Sequence, residues 1–293
     1  MVVLGALCGA VLLTCALTLV AGLKLTAPAP RIIGPPPATL AGAETVTLAS
    51  ASGAVLRGWL LPPTRPGAGV VLLAHGYRES RGMMVQRAVV LHEQGLGVLL
   101  FDFQAHGEST GARITLGAKE GMDLRSAVDE LVRRFPGERI GAIGVSLGGA
   151  AITLAPHPLA IDAAVLESTF PSVESALRNR LASDLPGGRW LAPVLTPLMV
   201  TIMQPILGVK AADLRPIDRI GSLGVPVLLL AGTNDRRTPL PEARDLYDHA
   251  TEPKQFVEVP GAGHVDLERF DAPAYWAVVV PFLTTHLQRP SKP

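Results

Sequence analysis

Ser146 stands at the apex of Gly144-Val145-Ser146-Leu147-Gly148, directly after the apolar run Ile140 to Val145 and before the small-residue run Gly148 to Ala151. That order predicts a strand, a sharp turn and a helix. Gly144 and Gly148 flank the turn because the apex residue is held in a strained backbone conformation and its neighbours need almost no side chain. A hydroxyl presented at such an apex stands clear of the sheet, with the N–H of Leu147 directly behind it.

The rest of the chain supplies the elements that such a turn needs. Thr45 to Leu48 and Val55 to Leu61 read as a first pair of strands joined at Ser52-Gly53. Val70 to Ala74 is a continuous apolar run, as expected of a strand buried on both faces. Arg81 to Gln94 reads as a helix and Gly97 to Phe103 as the next strand. Leu124, Ala127, Val128, Leu131 and Val132 recur at helical spacing. Further strands are predicted at Ile140 to Val145, Ala163 to Leu166, Val225 to Ala231 and Gln255 to Val259. Helices around Ala243 to Ala250 and Trp276 to Leu283 complete the series. Strands alternating with helices imply an α/β fold with a mostly parallel sheet covered on both sides. Reactive groups then gather at the C-terminal ends of the strands. The stretch from about 170 to 215, rich in Leu, Pro, Met and Ile, interrupts this rhythm. It reads either as a helical insertion packed on the core or as an apolar cap over the site.

The N-terminus is a separate matter. Met1 to Leu23 carries no charged side chain and is long enough to cross the ~30 Å hydrocarbon core of a bilayer as a helix. No Lys or Arg precedes it, so an uncleaved single-pass membrane anchor is favoured over a signal peptide, whose removal would leave a secreted or periplasmic protein. Lys24 and Arg31 follow the segment, and two charges leave the orientation open. The proline-rich residues 24–43 read as a stiff tether, and 44–293 as the globular domain.

Composition excludes several classes. A net charge of +1 with no basic stripe offers nothing to nucleic acid. Cys8 and Cys15 both lie in the N-terminal segment, which leaves the globular part without a disulfide, a thiolate nucleophile or a cysteine metal site. The seven histidines have no short-spaced pairing that suits zinc. The sequence sets no oligomeric state.

Three more strand ends carry chemistry. His75-Gly76-Tyr77 closes one strand, and the N–H of Tyr77 is placed to join that of Leu147 in stabilising an oxyanion; the His75 side chain reads as structural. Asp235 follows Val225 to Ala231 in Asn234-Asp235-Arg236-Arg237-Thr238-Pro239, and His264 follows Gln255 to Val259 in Gly261-Ala262-Gly263-His264. A carboxylate at 235 can hold the tautomer of an imidazole at 264, which takes the Ser146 proton and returns it to a leaving group. The chain order Ser146, Asp235, His264 is one of the known serine-hydrolase orders.

With these residues in view, the chain from about Glu44 to Leu287 resembles the α/β-hydrolase superfamily. Asp102-Phe103-Gln104-Ala105-His106-Gly107-Glu108-Ser109 is similar to that family's Asp-x-x-x-x-Gly-x-Ser loop. Together with Glu167-Ser168-Thr169-Phe170-Pro171, it is similar to bacterial BEM46-related and serine-aminopeptidase-like members. The resemblance implies an eight-stranded sheet, a Ser-His-Asp triad, no cofactor, and structural roles near the site for Asp102 and His106. The expected activity is hydrolysis of a small-molecule carboxylic ester through an acyl-enzyme. A peptidase or amidase using the same triad stays open, with Glu167, Glu174 or Asp184 as holders of a substrate amine. So does a non-catalytic membrane-tethered binding protein.

Overall fold

The computed structural model describes residues 2–288. Met1 of the expected anchor and residues 289–293 of the expected domain lie outside the described residues. The main sheet has eight strands: β1 (Glu44–Ala49), β2 (Val55–Leu61), β3 (Val70–Ala74), β4 (Gly97–Phe101), β5 (Ile140–Val145), β6 (Ala163–Glu167), β7 (Val227–Gly232) and β8 (Lys254–Val259). Their spatial order is β1-β2-β4-β3-β5-β6-β7-β8. The β1–β2 and β2–β4 pairs are antiparallel, and every other pair is parallel.

The helices are α1 (Val2–Leu25), α2 (Val85–Glu93), α3 (Ala118–Arg134), α4 (Leu147–Leu154), α5 (Val173–Asp184), α6 (Gly188–Leu207), α7 (Leu240–Asp248), α8 (Leu267–Phe270) and α9 (Ala272–Leu287). The period-two alternation of each buried strand divides its side chains between two cores. Val70, Leu72 and Ala74 face the layer built with α3, α4 and α7, whereas Val71 and Leu73 face α2 and α9. This is why the central strands are apolar throughout: neither face meets water.

Some limits differ from the sequence reading, for local reasons. The strand expected to reach Phe103 ends at Phe101, because Asp102 turns away to bind the Arg81 backbone and guanidinium. The helix expected over 81–94 begins as a 3-10 turn at Arg81–Met84 and becomes α-helical only at Val85. The strand expected from Val225 begins at Val227, after Pro226.

The proline-rich segment lies on the domain instead of standing off it. Pro28 and Pro30 have no N–H, and the remaining donors fall on one edge of the extended chain. The N–H of Ala29 donates to Ala105 O at 2.8 Å and that of Arg31 to Gly107 O at 2.9 Å. The N–H groups of Ile33 and Gly34 both donate to Glu108 at 3.0 Å. The segment thereby packs against the loop that follows β4.

Asp123 of α3 ties the β1–β2 turn to the same loop. Its carboxylate accepts from Ser50 and Ser52 at 2.5 Å each and from the Gln104 N–H at 2.8 Å. Burial pushes its pKa up to about 6, against the opposing pull of those hydrogen bonds. A carboxyl whose folded pKa is raised gives stability that is complete below the unfolded value and lost as pH rises through the folded one. Chemical denaturation at pH 4 and pH 7 should show wild type losing stability relative to Asp123→Asn across that interval. Parallel curves for the two proteins would contradict the buried, protonatable state.

Candidate active site

Ser146 links β5 to α4 with φ 51° and ψ −103°, a left-handed backbone position for a residue with a side chain. The turn tolerates this because its surroundings over-determine it. The Ser146 N–H donates to Glu167 O at 2.7 Å, and its own carbonyl accepts from Ala150 at 3.0 Å. A Cβ on Gly144 would press into the Gly148–Gly149 backbone, and one on Gly148 would collide with the Ala74 carbonyl. The two glycines therefore let α4 lie against β5 and β3 at backbone contact distance. The N–H groups of Leu147, the first residue of α4, and of Tyr77 donate to no protein acceptor among the described residues.

Asp235 and His264 meet across the ends of β7 and β8. A Cβ on Gly232 would overlap the Ala262 carbonyl, so the two loops approach backbone to backbone. The Asn234 N–H donates to Ala262 O at 2.9 Å, and the Gly261 N–H donates to the Thr233 hydroxyl at 2.8 Å. Across this junction the Asp235 carboxylate lies 2.8 Å from His264 Nδ1. Its other bonds come from the backbone N–H groups of Arg237 and Thr238, both at 2.8 Å, and from the Thr238 hydroxyl at 2.6 Å. Burial pushes the Asp235 carboxyl up, but the hydrogen bond and charge of His264 and the Thr238 donors outweigh it. The net position is below the usual carboxylate range. A carboxylate ionised and bonded on all sides orients the ring with Nδ1 toward itself and leaves Nε2 as the free nitrogen.

Ser146, Leu147, Tyr77 and His264 line one cavity of about 630 Å³ at the C-terminal edge of the sheet. Its apolar walls include Leu25, Leu116, Phe170 and Val173, which come from the end of α1, the loop before α3 and the start of the 170–215 segment. That segment forms α5 and α6 followed by 3-10 turns. The other sequence-predicted residues surround this cavity. His75 is fully buried: the Phe103 N–H donates to its Nε2 at 3.1 Å, so its Nδ1, 2.8 Å from Gly76 O, is the protonated nitrogen. Burial and the neighbouring His106 push the His75 imidazole well below its usual range. His106 packs edge-on to His75 at 5.0 Å and is also lowered, chiefly by burial. Asp102 receives the N–H groups of Arg81 at 2.7 Å and Glu108 at 3.0 Å. His75, Asp102 and His106 thus hold loops rather than open into the cavity.

Several residues were missed from the sequence. Thr238 bonds both members of the Asp–His pair, at 2.6 Å to Asp235 and 3.4 Å to His264. Its signal was an Asp with a hydroxyl residue three positions on, a spacing that closes a side-chain-to-backbone turn. Ser168 lines the cavity with φ 46°, and its buried hydroxyl has no partner among the described residues. Arg87 lies on the apolar face of α2 at 0% exposure. It bonds Glu167 at 2.7 Å and Asp266 at 2.7 Å, with Tyr275 donating to Glu167 at 2.6 Å. Burial disfavours its charge, and the two carboxylates reverse that, holding Arg87 well above its usual pKa. A charged residue on the buried stripe of an amphipathic helix was the available signal.

The comparisons with known proteins bear on the fold and the family. Residues 65–208 match the family described as "Serine aminopeptidase, S33". The chain is 33% identical over 262 residues to the uncharacterized protein Rv2307c of Mycobacterium tuberculosis, covering 86% of this chain and 84% of that one. It is 30% identical over 258 residues to the uncharacterized protein YfhR of Salmonella typhi, covering 80% and 78%. In fold it is similar to the Pyrococcus furiosus esterase Pf2001, with a TM-score of 0.69, 24% identity, and 89% and 99% coverage. The chain belongs to the α/β-hydrolase superfamily.

Arg87→Met should destabilise the fold by about 3–5 kcal/mol, because it leaves the Glu167 carboxylate buried without its cation. Adding Glu167→Gln should recover part of that loss. Thermal unfolding of the two single variants and the double variant measures both effects.

Proposed function

We propose that this protein is a serine hydrolase of carboxylic esters, with Ser146 as nucleophile, His264 as base and Asp235 as the acid that orients it. The observation that carries the reading is the buried Asp235 carboxylate 2.8 Å from His264 Nδ1, in the loop whose imidazole lines the same cavity as the strained Ser146. In this reading Ser146 Oγ bonds to the ester carbonyl carbon while His264 takes its proton. The C–O bond breaks, and the alcohol leaves with that proton. Water then adds to the acyl-enzyme and releases the acid. The unpartnered N–H groups of Tyr77 and Leu147 would receive the oxyanion, each worth about 3–4 kcal/mol to the transition state.

The charge around the cavity favours an ester over an aminopeptidase substrate. Glu167 is fully buried against Arg87, and Asp184 bonds to Arg180 and Arg237. Neither those two nor the exposed Glu174 lines the cavity. The acidic residues that do, Glu79 and Asp266, are bound to Arg31 and Arg87. Glu167, Glu174 and Asp184 thus offer the cavity no carboxylate for a substrate amine. The structurally similar Pf2001 of Pyrococcus furiosus is an esterase, which points the same way. The Asp235–His264 bond speaks against a purely non-catalytic role. We assign α1 as the membrane anchor, since it is long and apolar enough to span a bilayer, with 44–293 as the catalytic domain and 170–215 as its cap.

With the full chain in detergent and short p-nitrophenyl esters as substrates, Ser146→Ala and His264→Ala should each lower kcat by about 10³-fold or more. Asp235→Asn should lower kcat with little change in KM. Wild-type turnover by Ser146→Ala would overturn the mechanism.

A further inference from the structure

Helix α6 faces outward with the wrong chemistry for water. From Trp190 to Leu207 it contains no charged residue. Ala192, Thr196, Met199 and Met203 turn inward, yet Trp190 is 75% exposed, Val194 68% and Leu191 47%. A surface helix of a soluble domain turns polar residues outward, and a core helix is covered all round. α6 does neither, and its exposed residues from Trp190 to Pro197 are all apolar.

The neighbouring helix says what covers it. The last turns of α1 pack on the C-terminal half of α6, where a Cβ on Gly22 would press into the Met203 side chain. Beyond that contact α1 exposes Val11, Leu12, Leu13, Leu17 and Val20. Both helices are long and apolar enough to enter a membrane, and they pack against each other. Exposed Lys24 closes α1, and the Arg78 guanidinium lies 3.4 Å from its carbonyl. Cations at that edge are placed for a phosphate-bearing headgroup layer.

A groove of about 630 Å³ runs between α1, α5 and α6, with Ala21, Leu181, Leu185 and Met199 in its walls. It shares Leu25, Tyr77, Leu177 and Arg180 with the cavity that contains Ser146. The Tyr77 hydroxyl, in turn, donates to Leu25 O at 2.5 Å, which fixes the end of α1 at the boundary between the two spaces. The anchor helix is thus part of the wall of the candidate site.

We propose that the outward face of α6 is immersed in the bilayer beside α1, and that the groove carries the long acyl chain of a membrane-resident lipid ester to Ser146. The proposal rests on the ester-hydrolase reading and specifies its substrate class. The acyl chain passes from lipid into the groove without crossing water, and the ester carbonyl reaches Ser146 Oγ. The C–O bond is exchanged as above, so the products are the lipid alcohol and, after water adds, the free fatty acid.

The test uses the full chain in vesicles of mixed phosphatidylcholine and phosphatidylglycerol. Val194→Glu should lower turnover of a vesicle-embedded dioleoyl ester by about tenfold or more, and leave turnover of water-soluble p-nitrophenyl acetate unchanged. Leu181→Trp should shift the preferred acyl length toward shorter chains. Independently of turnover, phospholipids brominated on their acyl chains should quench the Trp190 emission of Ser146→Ala protein, and Trp190→Phe should remove the quenched component. Equal loss on both substrates in Val194→Glu, or no quenching traceable to Trp190, would overturn the proposal while the ester-hydrolase reading stands. Soluble-ester turnover that survives Ser146→Ala would instead overturn the ester-hydrolase reading, and the quenching would still decide whether α6 lies in lipid.

Discussion

A guanidinium sealed from water holds the two halves of the candidate site in register. Arg87 sits between Glu167, at the end of β6, and Asp266, at the start of α8. Glu167 uses its backbone carbonyl to hold the N–H of Ser146 and its carboxylate to hold Arg87. Asp266 caps α8 two residues after His264. The serine turn and the histidine loop lie on different strands, and neither has a direct covalent reason to stay aligned with the other. One cation with two anions, completed by the Tyr275 hydroxyl, supplies that reason. Charges this deeply buried are tolerable only when every partner is present, so the cluster acts as an all-or-none brace.

The sheet edge that carries the candidate site is built by close backbone approach. Gly144 and Gly148 let α4 lie on β5 and β3, and Gly232 lets the Asp235 loop touch the His264 loop. In each case a single Cβ would force the backbones apart. The strain at Ser146 is sustained by that crowding, since a turn free to relax would leave the left-handed region. Asp235, bonded from four donors including His264, extends the same logic to the contact between the loops after β7 and β8.

The N-terminal segments enlarge the site rather than merely tether it. Residues 26–34 add backbone bonds to the loop after β4, and Leu25 contributes to the cavity wall. One apolar cluster joins Leu23 and Leu25 of α1 to Phe170, Val173, Met199 and Met203. On the readings proposed above, anchor, cap and catalytic edge form one surface.

The alternation of apolar runs and amphipathic stretches determined the eight strands, the mostly parallel character of their sheet and the strand-to-helix turn at Ser146, because these depend on local periodicity and on glycine's missing side chain. The placement of Ser146, Asp235 and His264 at strand ends along one edge was also legible, because each follows a recognisable strand and the order of strand ends is constrained by topology. Tertiary structure alone decided the partners. Arg87 finds Glu167 and Asp266 across separations of 80 and 179 residues, and no local pattern encodes such a pairing. It also decided that the proline-rich segment docks, since Ala29 and Arg31 need carbonyls on a loop more than 70 residues away, at 105 and 107. Which face of α6 is left bare is of the same kind. Periodicity names the two sides of a helix, but only packing against α5 and the end of α1 determines which of them remains uncovered.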